Sequence, residues 1–423
     1  MRHLIKEAKE QFSLLAWRVR LVFWSGAILI GAVCAGFAIV AEHANNAFLT
    51  LARTWPWAPF LLTPLGLAAI LWATRNGFPG SQGSGIPQAI AALQVQDRGP
   101  LLSLRIALGK ILLTTLGLFC GASIGREGPS VHIGASLMHS LGRFAHFPAH
   151  YMERGLILAG SAAGIAAAFN TPMAGIVFAI EEMSKSFEQR TSGIVMTAVI
   201  FAGLTAVALL GPYHYFGTSH AVFPRHLSSW LAIGLCGIVG GLAGGLFSRT
   251  LVEGARRVSP LLRRNPYRVA LACGLVVALC GWFSDLQSSG TGYSVAKAIV
   301  QNEGRFDMTM PLWKIGATIA SYLSGIPGGI FAPSLAAGAG IGADLAAWAP
   351  LAPIGTMVLL GMVAYFCGVV QSPITAFVIV MEMTNDNAMM LPLMATSLLA
   401  YATSRFVCPE PIYHSLAQPF LKR

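Results

Sequence analysis

The residues best suited to chemistry lie in one short stretch, Gly-Arg-Glu-Gly-Pro-Ser at 125–130. Its Arg-Glu pair is placed between two uncharged apolar runs, 111–125 and 128–142. Because a charged side chain near the bilayer centre costs at least about 2.5 kcal/mol, charges kept there are usually functional. Pro129 suits the first turn of a helix, and the glycines permit a tight break before it. We therefore predict a helix that begins inside the membrane with Glu127 at its amino-terminal end, where unpaired N–H groups and a partial positive charge favour an anion.

The composition is that of a protein embedded in a membrane. Of the 423 residues, 55% are hydrophobic and 11% are charged, whereas soluble proteins are roughly 25% charged. The net charge of +11 arises from basic residues between the apolar runs, which is typical of cytoplasmic loops and not of a nucleic-acid-binding surface. Uncharged runs of about 20 residues, enough to span a bilayer, recur at 22–41, 54–74, 155–180, 191–224, 226–248, 315–343, 345–381 and 387–404. We predict an all-α polytopic membrane protein in which some runs hold more than one helix.

No pattern in the sequence indicates a cofactor or an enzyme. The seven cysteines are scattered and show neither metal-binding spacing nor a disulfide framework. The glycine-rich stretch 338–342 lacks the strand and lysine of a nucleotide-binding loop and is typical of a close-packed helix face. An intramembrane enzyme using Ser84 or Glu127 would need an oriented base beside it, and the sequence offers none. We expect no metal, no cofactor, no nucleic-acid partner and no enzymatic activity.

The second half of the chain repeats the first. Lys110 precedes Glu127 by 17 residues, just as Lys314 precedes Phe331. Further matches follow in the same order at offsets of 201 to 207, and they pair 83–85 with 290–292, 127–130 with 331–334, and 170–181 with 371–382. We predict a single membrane domain over 1–423, divided into a cytoplasmic N-terminal helix at 1–21, a first repeat at 22–211 and a second repeat at 229–415.

The basic residues indicate that the two repeats have opposite orientations. Arg18 and Arg20 precede the first apolar span of repeat one, whereas Arg249 and Arg256 follow the first span of repeat two. If basic segments are cytoplasmic, these spans run in opposite directions, and 211–228 is a link outside the membrane. Inverted repeats place a substrate site near the membrane midplane, where broken helices meet. The two helix starts, at Glu127 and its repeat mate, would then converge on a midplane anion site.

Three motifs, in order and spacing, resemble the signature motifs of the CLC chloride channel and transporter family, and in particular its bacterial chloride/proton exchangers. They are Gly-Ser-Gly-Ile-Pro at 83–87, Gly-Arg-Glu-Gly-Pro at 125–129 and Gly-Ile-Phe-Ala-Pro at 329–333. The resemblance implies a homodimer with one ion pathway per subunit. It also implies a multi-pass protein of the bacterial inner (plasma) membrane with both termini cytoplasmic. About ten residues follow Tyr413, so we expect no C-terminal CBS domains.

The resemblance also implies the residues of a central chloride site. The hydroxyl of Ser84 and the backbone N–H groups of Ile330 and Phe331 match the family's chloride ligands. Tyr413 matches its central-site tyrosine, although on the sequence alone such a tyrosine is more often an aromatic residue at the membrane interface. Backbone or electrostatic contributions to the anion site are expected from Arg126, Gly128 and Gly85.

Two acidic residues distinguish the possible transport mechanisms. Glu127 resembles the family's external gating glutamate, whose carboxylate occupies the anion site when charged and leaves it when protonated; a structural ion pair with Arg126 is the alternative. Glu182 falls at the internal proton-transfer glutamate of the exchangers, where channels have an apolar residue. Its neighbour Glu181 is the structural candidate, because the repeat mate of Glu181 is also an acid.

These residues favour a secondary active antiporter that exchanges chloride for protons. The alternative is a passive voltage- or proton-gated chloride channel in which Glu127 acts only as a gate. Proton movement coupled to chloride movement distinguishes the two.

Overall fold

The computed structural model describes residues 14–142, 149–184, 189–211, 214–219, 221–224, 226–303 and 307–421. Over these residues the fold is helical and contains no named strand, which confirms the predicted all-α class. The α-helices are α1 Leu14–Thr54, α2 Pro59–Asn76, α3 Ile86–Ala92, α4 Leu104–Phe119, α5 Glu127–Gly142, α6 Ala149–Phe169, α7 Pro172–Phe178, α8 Gln189–Leu210, α9 Leu227–Arg264, α10 Pro266–Phe283, α11 Tyr293–Val300, α12 Met310–Leu323, α13 Phe331–Trp348, α14 Ile354–Val370, α15 Pro373–Thr384, α16 Met390–Val407 and α17 Ile412–Leu421. A π-helical turn, Ala179–Ser184, follows α7, and a 3-10 turn, Asn387–Met389, precedes α16.

Several of these helices are long and apolar enough to cross a bilayer. Within the described part of the chain they are four, or up to five if the bent pair α16 and α17 forms one span. The apolar runs 315–343 and 345–381 each hold parts of two helices, α12 with α13 and α14 with α15. Residues 1–13 of the predicted N-terminal helix lie outside the described residues, and α1 continues without a break across the predicted boundary at residue 21.

The helix α9 extends beyond the hydrocarbon region. Its 38 residues make it about 57 Å long at 1.5 Å per residue, whereas the hydrocarbon core of a bilayer is about 30 Å thick. Its first half, 227–245, carries no charged residue, whereas Arg256, Arg257, Arg263 and Arg264 lie toward its end. The basic end therefore projects out of the apolar layer.

Short helices begin at breaks that the sequence specifies locally. Gly85 and Gly292 occupy equivalent positions before α3 and α11, with φ of 103° and 78°. Residues with a side chain rarely adopt this left-handed conformation, so glycine is required there. Prolines in the first turn start α2, α3, α7, α10, α12 and α15, because a proline's missing N–H is not needed at a helix start.

The two halves of the chain repeat one another in their contacts as well as in sequence. Each half has a buried lysine whose Nζ donates to carbonyl oxygens of the loop before a short helix. Lys110 donates to Ser81 and Gly83, both at 3.0 Å, and Lys314 donates to Ser288 and Gly290 at 3.0 and 2.8 Å. A buried ammonium group needs such acceptors, so each lysine fixes one loop.

Gly125 and Gly329 join the two halves directly. They exchange two backbone hydrogen bonds of 2.7 and 2.8 Å as an antiparallel pair. Gly329 is the repeat mate of Gly125, since the two positions differ by 329 − 125 = 204. Their antiparallel pairing means that the matching segments of the two repeats run in opposite directions where they meet. This pairing is consistent with inverted repeats.

Two acidic side chains also form hydrogen bonds between the halves. The carboxylate of Glu181 accepts hydrogen bonds from the backbone N–H groups of Ile374 (3.0 Å) and Thr375 (2.6 Å) at the start of α15. The carboxylate of its mate Glu382 accepts hydrogen bonds from the start of α7, from Met173 (3.1 Å) and Ala174 (2.7 Å). Each half therefore supplies the anion that caps the other half's helix.

The core lies around α14, whose residues from Thr356 to Val370 are all buried. Small residues let the neighbouring helices approach it closely. Gly338 and Gly342 of α13 lie against the backbone of α14, and a Cβ at either glycine would collide with it. Such close packing of small residues is the usual basis of helix association in membranes. It fixes the direction of α13 and hence the position of its first residue, Phe331.

Candidate functional site

The three motifs meet at one place in the structure. The loop before Ser84 contacts the loop before α13, since the N–H of Gly83 donates to the carbonyl of Ile326 (3.1 Å) and the N–H of Gly328 donates to the carbonyl of Gly83 (3.2 Å). The Gly125–Gly329 pair connects that same loop to the start of α5. The amino-terminal ends of α3, α5 and α13 are therefore brought together, and each leaves N–H groups without an intrahelical acceptor.

Glu127 is the first residue of α5, and it is fully buried. One carboxylate oxygen accepts a hydrogen bond from the hydroxyl of Tyr215 at 3.4 Å. The backbone N–H of Ala332, at the start of α13, and the charge of Arg126 also act on this carboxylate. The carboxylate of Glu127 thus lies at the amino-terminal end of α13, in a position suited to an anion.

Arg126 is held beside this carboxylate by other parts of the chain. Its Nη1 donates to the carbonyl of Ala38 in α1 at 2.6 Å. Its guanidinium carbon lies 5.8 Å from the centre of the Tyr215 ring, a distance at which a cation interacts favourably with an aromatic face. These contacts place a fixed positive charge close to Glu127.

Ser84 and Tyr413 provide two buried hydroxyl groups near Glu127. Both residues are buried, and neither hydroxyl has a hydrogen-bond partner among the described residues. A buried hydroxyl without a partner costs free energy and calls for a ligand or another explanation. Ser84 lies against the start of α5, because a Cβ at Gly128 would overlap the Ser84 hydroxyl. Gly128 therefore keeps this approach open.

Tyr413 interacts electrostatically with both acids. The charges of Glu182 and Glu127 both act on its hydroxyl, as does Tyr322. Tyr413 is in the first turn of α17, and its side chain is fully buried. The structure thus brings the Tyr413 hydroxyl within electrostatic reach of both candidate proton-carrying residues.

Aromatic packing fixes the start of α13. The ring of Phe331 contacts the rings of Phe366, Phe169 and Phe178, with centroid distances of 4.4, 5.4 and 6.4 Å. Phe331 and Ile330 are both buried. Their backbone N–H groups belong to the helix end at which the Glu127 carboxylate lies, so these groups are held in place by side chains packed on three other helices.

Glu182 is buried in the π-helical turn after α7, with 2% of its surface exposed. Its carboxylate accepts a hydrogen bond from the hydroxyl of Ser372. Its backbone carbonyl lies 3.2 Å from Nε2 of His414 in α17. Glu182 therefore points into the protein, whereas its neighbour Glu181 caps α15.

Sequence reasoning missed three residues of this region, namely Tyr215, Ser372 and His414. The segment 211–228 is predicted to lie outside the membrane, yet Tyr215 folds back onto Glu127 and is buried among Phe169, Phe216 and Tyr293. The sequence did contain a signal for Ser372: it precedes Pro373 at a helix start, in the segment 371–382 that matches 170–181 of the first repeat. No signal in the sequence pointed to His414.

Two cavities approach the site. One, of about 220 Å³, is lined by Arg126 and Tyr215 together with Thr291 and Tyr293. The other, of about 190 Å³, is lined by Gly83 and Tyr322 and adjoins a larger groove of about 530 Å³ that contains Arg75 and Arg263. The first cavity reaches Tyr215, whose hydroxyl donates to Glu127, and the second reaches Gly83, next to Ser84. Among the described residues no group of three histidine, cysteine or acidic side chains is placed to hold a metal ion.

Comparisons with known proteins agree on one family. The family model described as "voltage gated chloride channel" matches residues 65–405. The H(+)/Cl(-) exchange transporter ClcA of Cronobacter sakazakii is 32% identical over 411 residues, which cover 91% of this chain and 87% of that protein. The protein of the same name from Yersinia pseudotuberculosis is 30% identical over 396 residues, with coverage of 89% and 80%.

Solved structures share the fold. A slow cyanobacterial Cl-/H+ antiporter superposes with a TM-score of 0.84 at 24% identity, covering 96% of this chain and 98% of that one. A CLC-type fluoride/proton antiporter superposes with a TM-score of 0.79 at 23% identity, covering 93% and 96%. At these identities the likeness is one of fold.

Proposed function

The chain belongs to the voltage gated chloride channel (CLC) family, and we propose that it is a secondary active antiporter that exchanges chloride for protons. The relatives at 30% and 32% identity are exchange transporters by name, which favours exchange over the channel alternative. The observation that carries the proposal is the second buried acid: Glu182 lies beside the Tyr413 site. A passive pore has no need of this carboxylate, which is costly to bury.

The central chloride is held by neutral donors. The Ser84 and Tyr413 hydroxyls, each buried and without a partner among the described residues, supply two donors. The backbone N–H groups of Ile330 and Phe331 supply the end of α13. Arg126 contributes positive charge, and Gly85 and Gly128 allow the loops to approach. Neutral donors hold a chloride ion without an ion pair, so the ion can also leave.

Glu127 couples the anion to the proton. Its carboxylate lies at the end of α13, where it competes with chloride for the same N–H groups. When a proton neutralises the carboxylate, that competition is weakened, the side chain leaves and chloride enters. Glu182 exchanges protons with the opposite solution. Each turnover therefore moves chloride one way and protons the other, with both as substrates and without a cofactor or an enzymatic step.

The proposal extends to the repeats, the orientation in the membrane and the oligomeric state. Two inverted repeats, 22–211 and 229–415, place the site at the midplane of one membrane domain. The basic end of α9 and the groove with Arg75 and Arg263 form the cytoplasmic side, with both termini cytoplasmic. The protein is a homodimer in the bacterial inner membrane, with one pathway per subunit and lipid around it.

The test is proton movement in proteoliposomes that contain the purified protein. The vesicles hold a chloride gradient and no proton gradient, and valinomycin with potassium clamps the voltage. The proposal expects chloride to drive protons uphill, with the pH change abolished by a protonophore. Chloride flux without proton movement would make the protein a channel or uniporter, and Glu182 a structural acid.

A further inference from the structure

Glu182 has to exchange a proton with water, yet it is buried. Only 2% of the residue is exposed, and the Ser372 hydroxyl donates to one of its carboxylate oxygens. Proton transfer to a buried carboxylate requires a positioned titratable side chain or a chain of water molecules. The residues around Glu182 therefore decide how fast its proton is exchanged.

The nearby acids are engaged in other contacts. Both carboxylate oxygens of Glu181 accept backbone hydrogen bonds from α15, and both oxygens of Glu382 accept backbone hydrogen bonds from α7. These bonds fix the two side chains at helix ends. Neither carboxylate is placed to move between water and Glu182.

His414 has the placement that a relay needs. It is half-buried, in the first turn of α17 and next to Tyr413. Its Nε2 lies 3.2 Å from the backbone oxygen of Glu182. Because a carbonyl oxygen only accepts, Nε2 carries the hydrogen in this contact.

The helices packed against α17 are α3, α9 and α14. The helix α3 has no titratable side chain, and α14 has the buried Tyr365 and Cys367. The charged groups near the start of α17 line a cavity with Ser415 and are Arg249, Glu253, Arg256 and Glu410. Arg249 and Glu253 form an ion pair of 3.2 Å, and Glu410 accepts a hydrogen bond from Ser415 at 3.0 Å. Among these described groups, imidazole is the side-chain type that commonly serves as a proton shuttle.

We propose that His414 relays protons between the cytoplasmic solution and Glu182, an inference that rests on the proposed antiport. When the ring takes up a proton from the cytoplasmic side, the imidazolium holds two N–H groups. It passes one proton through a bridging water to the Glu182 carboxylate. The ring returns to its neutral form and the carboxylate becomes a carboxylic acid, so that charge and protons balance. The same steps in reverse release a proton to the cytoplasm.

The test variant is His414→Gln, which keeps an N–H donor for the Glu182 carbonyl but cannot carry a proton. In voltage-clamped proteoliposomes we expect proton flux to fall about tenfold or more near neutral pH, while chloride flux persists. The wild-type rate should also show an inflection as the cytoplasmic-side pH is varied between about 5 and 8, and this inflection should disappear in the variant. Free imidazole added to His414→Ala should restore part of the proton flux.

The matched control is His43→Gln, since His43 is an exposed histidine on α1 whose ring also contacts a backbone carbonyl, that of Ile39 at 2.8 Å. If the wild type moves no protons, the antiport proposal fails. If the wild type does and His414→Gln keeps both its rate and its pH profile, the relay is wrong and the antiport stands. An equal loss of chloride and proton flux, with an unchanged pH profile and no response to imidazole, would also overturn the relay, because it would make His414 structural.

Discussion

At the scale of single residues, the Glu127 carboxylate and chloride compete for the end of α13. The variant Glu127→Ala removes the competing charge and the group that carries the proton. We therefore expect chloride flux to continue while coupled proton flux falls below detection, measured as pH change and chloride efflux from the same vesicles. Glu253→Ala, which removes a part-exposed acid on α9, is the control. Uphill proton pumping by Glu127→Ala would contradict the gate assignment.

The neighbouring acids Glu181 and Glu182 provide a matched pair of variants. Glu182→Gln should abolish proton movement and leave chloride transport, because the amide cannot exchange a proton. Glu181→Gln should keep proton coupling but lower the free energy of unfolding by about 1 kcal/mol, since it weakens two hydrogen bonds to α15. Flux assays and thermal unfolding in detergent separate the two effects. Proton coupling that survives in Glu182→Gln would make Glu182 a structural acid.

At the scale of elements, the site depends on how closely the start of α5 approaches the Ser84 loop. The variant Gly128→Ala introduces a Cβ that overlaps the Ser84 hydroxyl, so this hydroxyl must move out of the anion site. We expect chloride affinity to fall about tenfold, which corresponds to about 1.4 kcal/mol, in a calorimetric chloride titration.

Gly36→Ala is the control for this substitution, because a Cβ at Gly36 in α1 meets no atom within 4 Å. It tests the general effect of alanine in a helix without touching the site. An unchanged chloride affinity in Gly128→Ala would show that the Ser84 hydroxyl is not a ligand.

At the scale of the whole molecule, α7 and α15 form a unit held together by hydrogen bonds. Glu181 accepts two of them from the start of α15, and Glu382 accepts two from the start of α7. Each presents an exposed apolar residue at its start, Met173 and its repeat mate Ile374, which are 58% and 50% exposed. We propose that the dimer surface includes these helices and α16. We predict that light scattering of the purified protein gives twice the 44.7 kDa of one chain.

A double variant, Met173→Trp with Ile374→Trp, should reduce this mass to that of one chain while transport continues, because each subunit has its own pathway. The control is Leu61→Trp on α2, where the side chain is also exposed, at 57%. A wild-type mass of 44.7 kDa would contradict the dimer, and loss of transport on separation would contradict independent pathways.

The sequence by itself determined the fold class, the family and the helix start at Glu127. These conclusions depend on local properties: the length of apolar runs, the cost of charge within them, and the glycines and prolines that start helices. The internal repeat was also readable, because matched motifs keep their order. The family is confirmed, and relatives that are exchange transporters by name support the antiporter interpretation. The individual roles of Ser84, Tyr413, Glu127 and Glu182 stay predictions.

Only the tertiary structure decided which residues surround the two acids. Tyr215 and Glu127 are 88 positions apart, and Glu182 is 190 positions from Ser372 and 232 from His414. It also showed that Glu181 caps a helix of the other repeat while the adjacent Glu182 points inward. Contacts between such distant positions arise from the packing of many helices, and no local pattern specifies them. The sequence therefore determined where the helices begin and which residues carry charge, and the packing of those helices decided which charges meet.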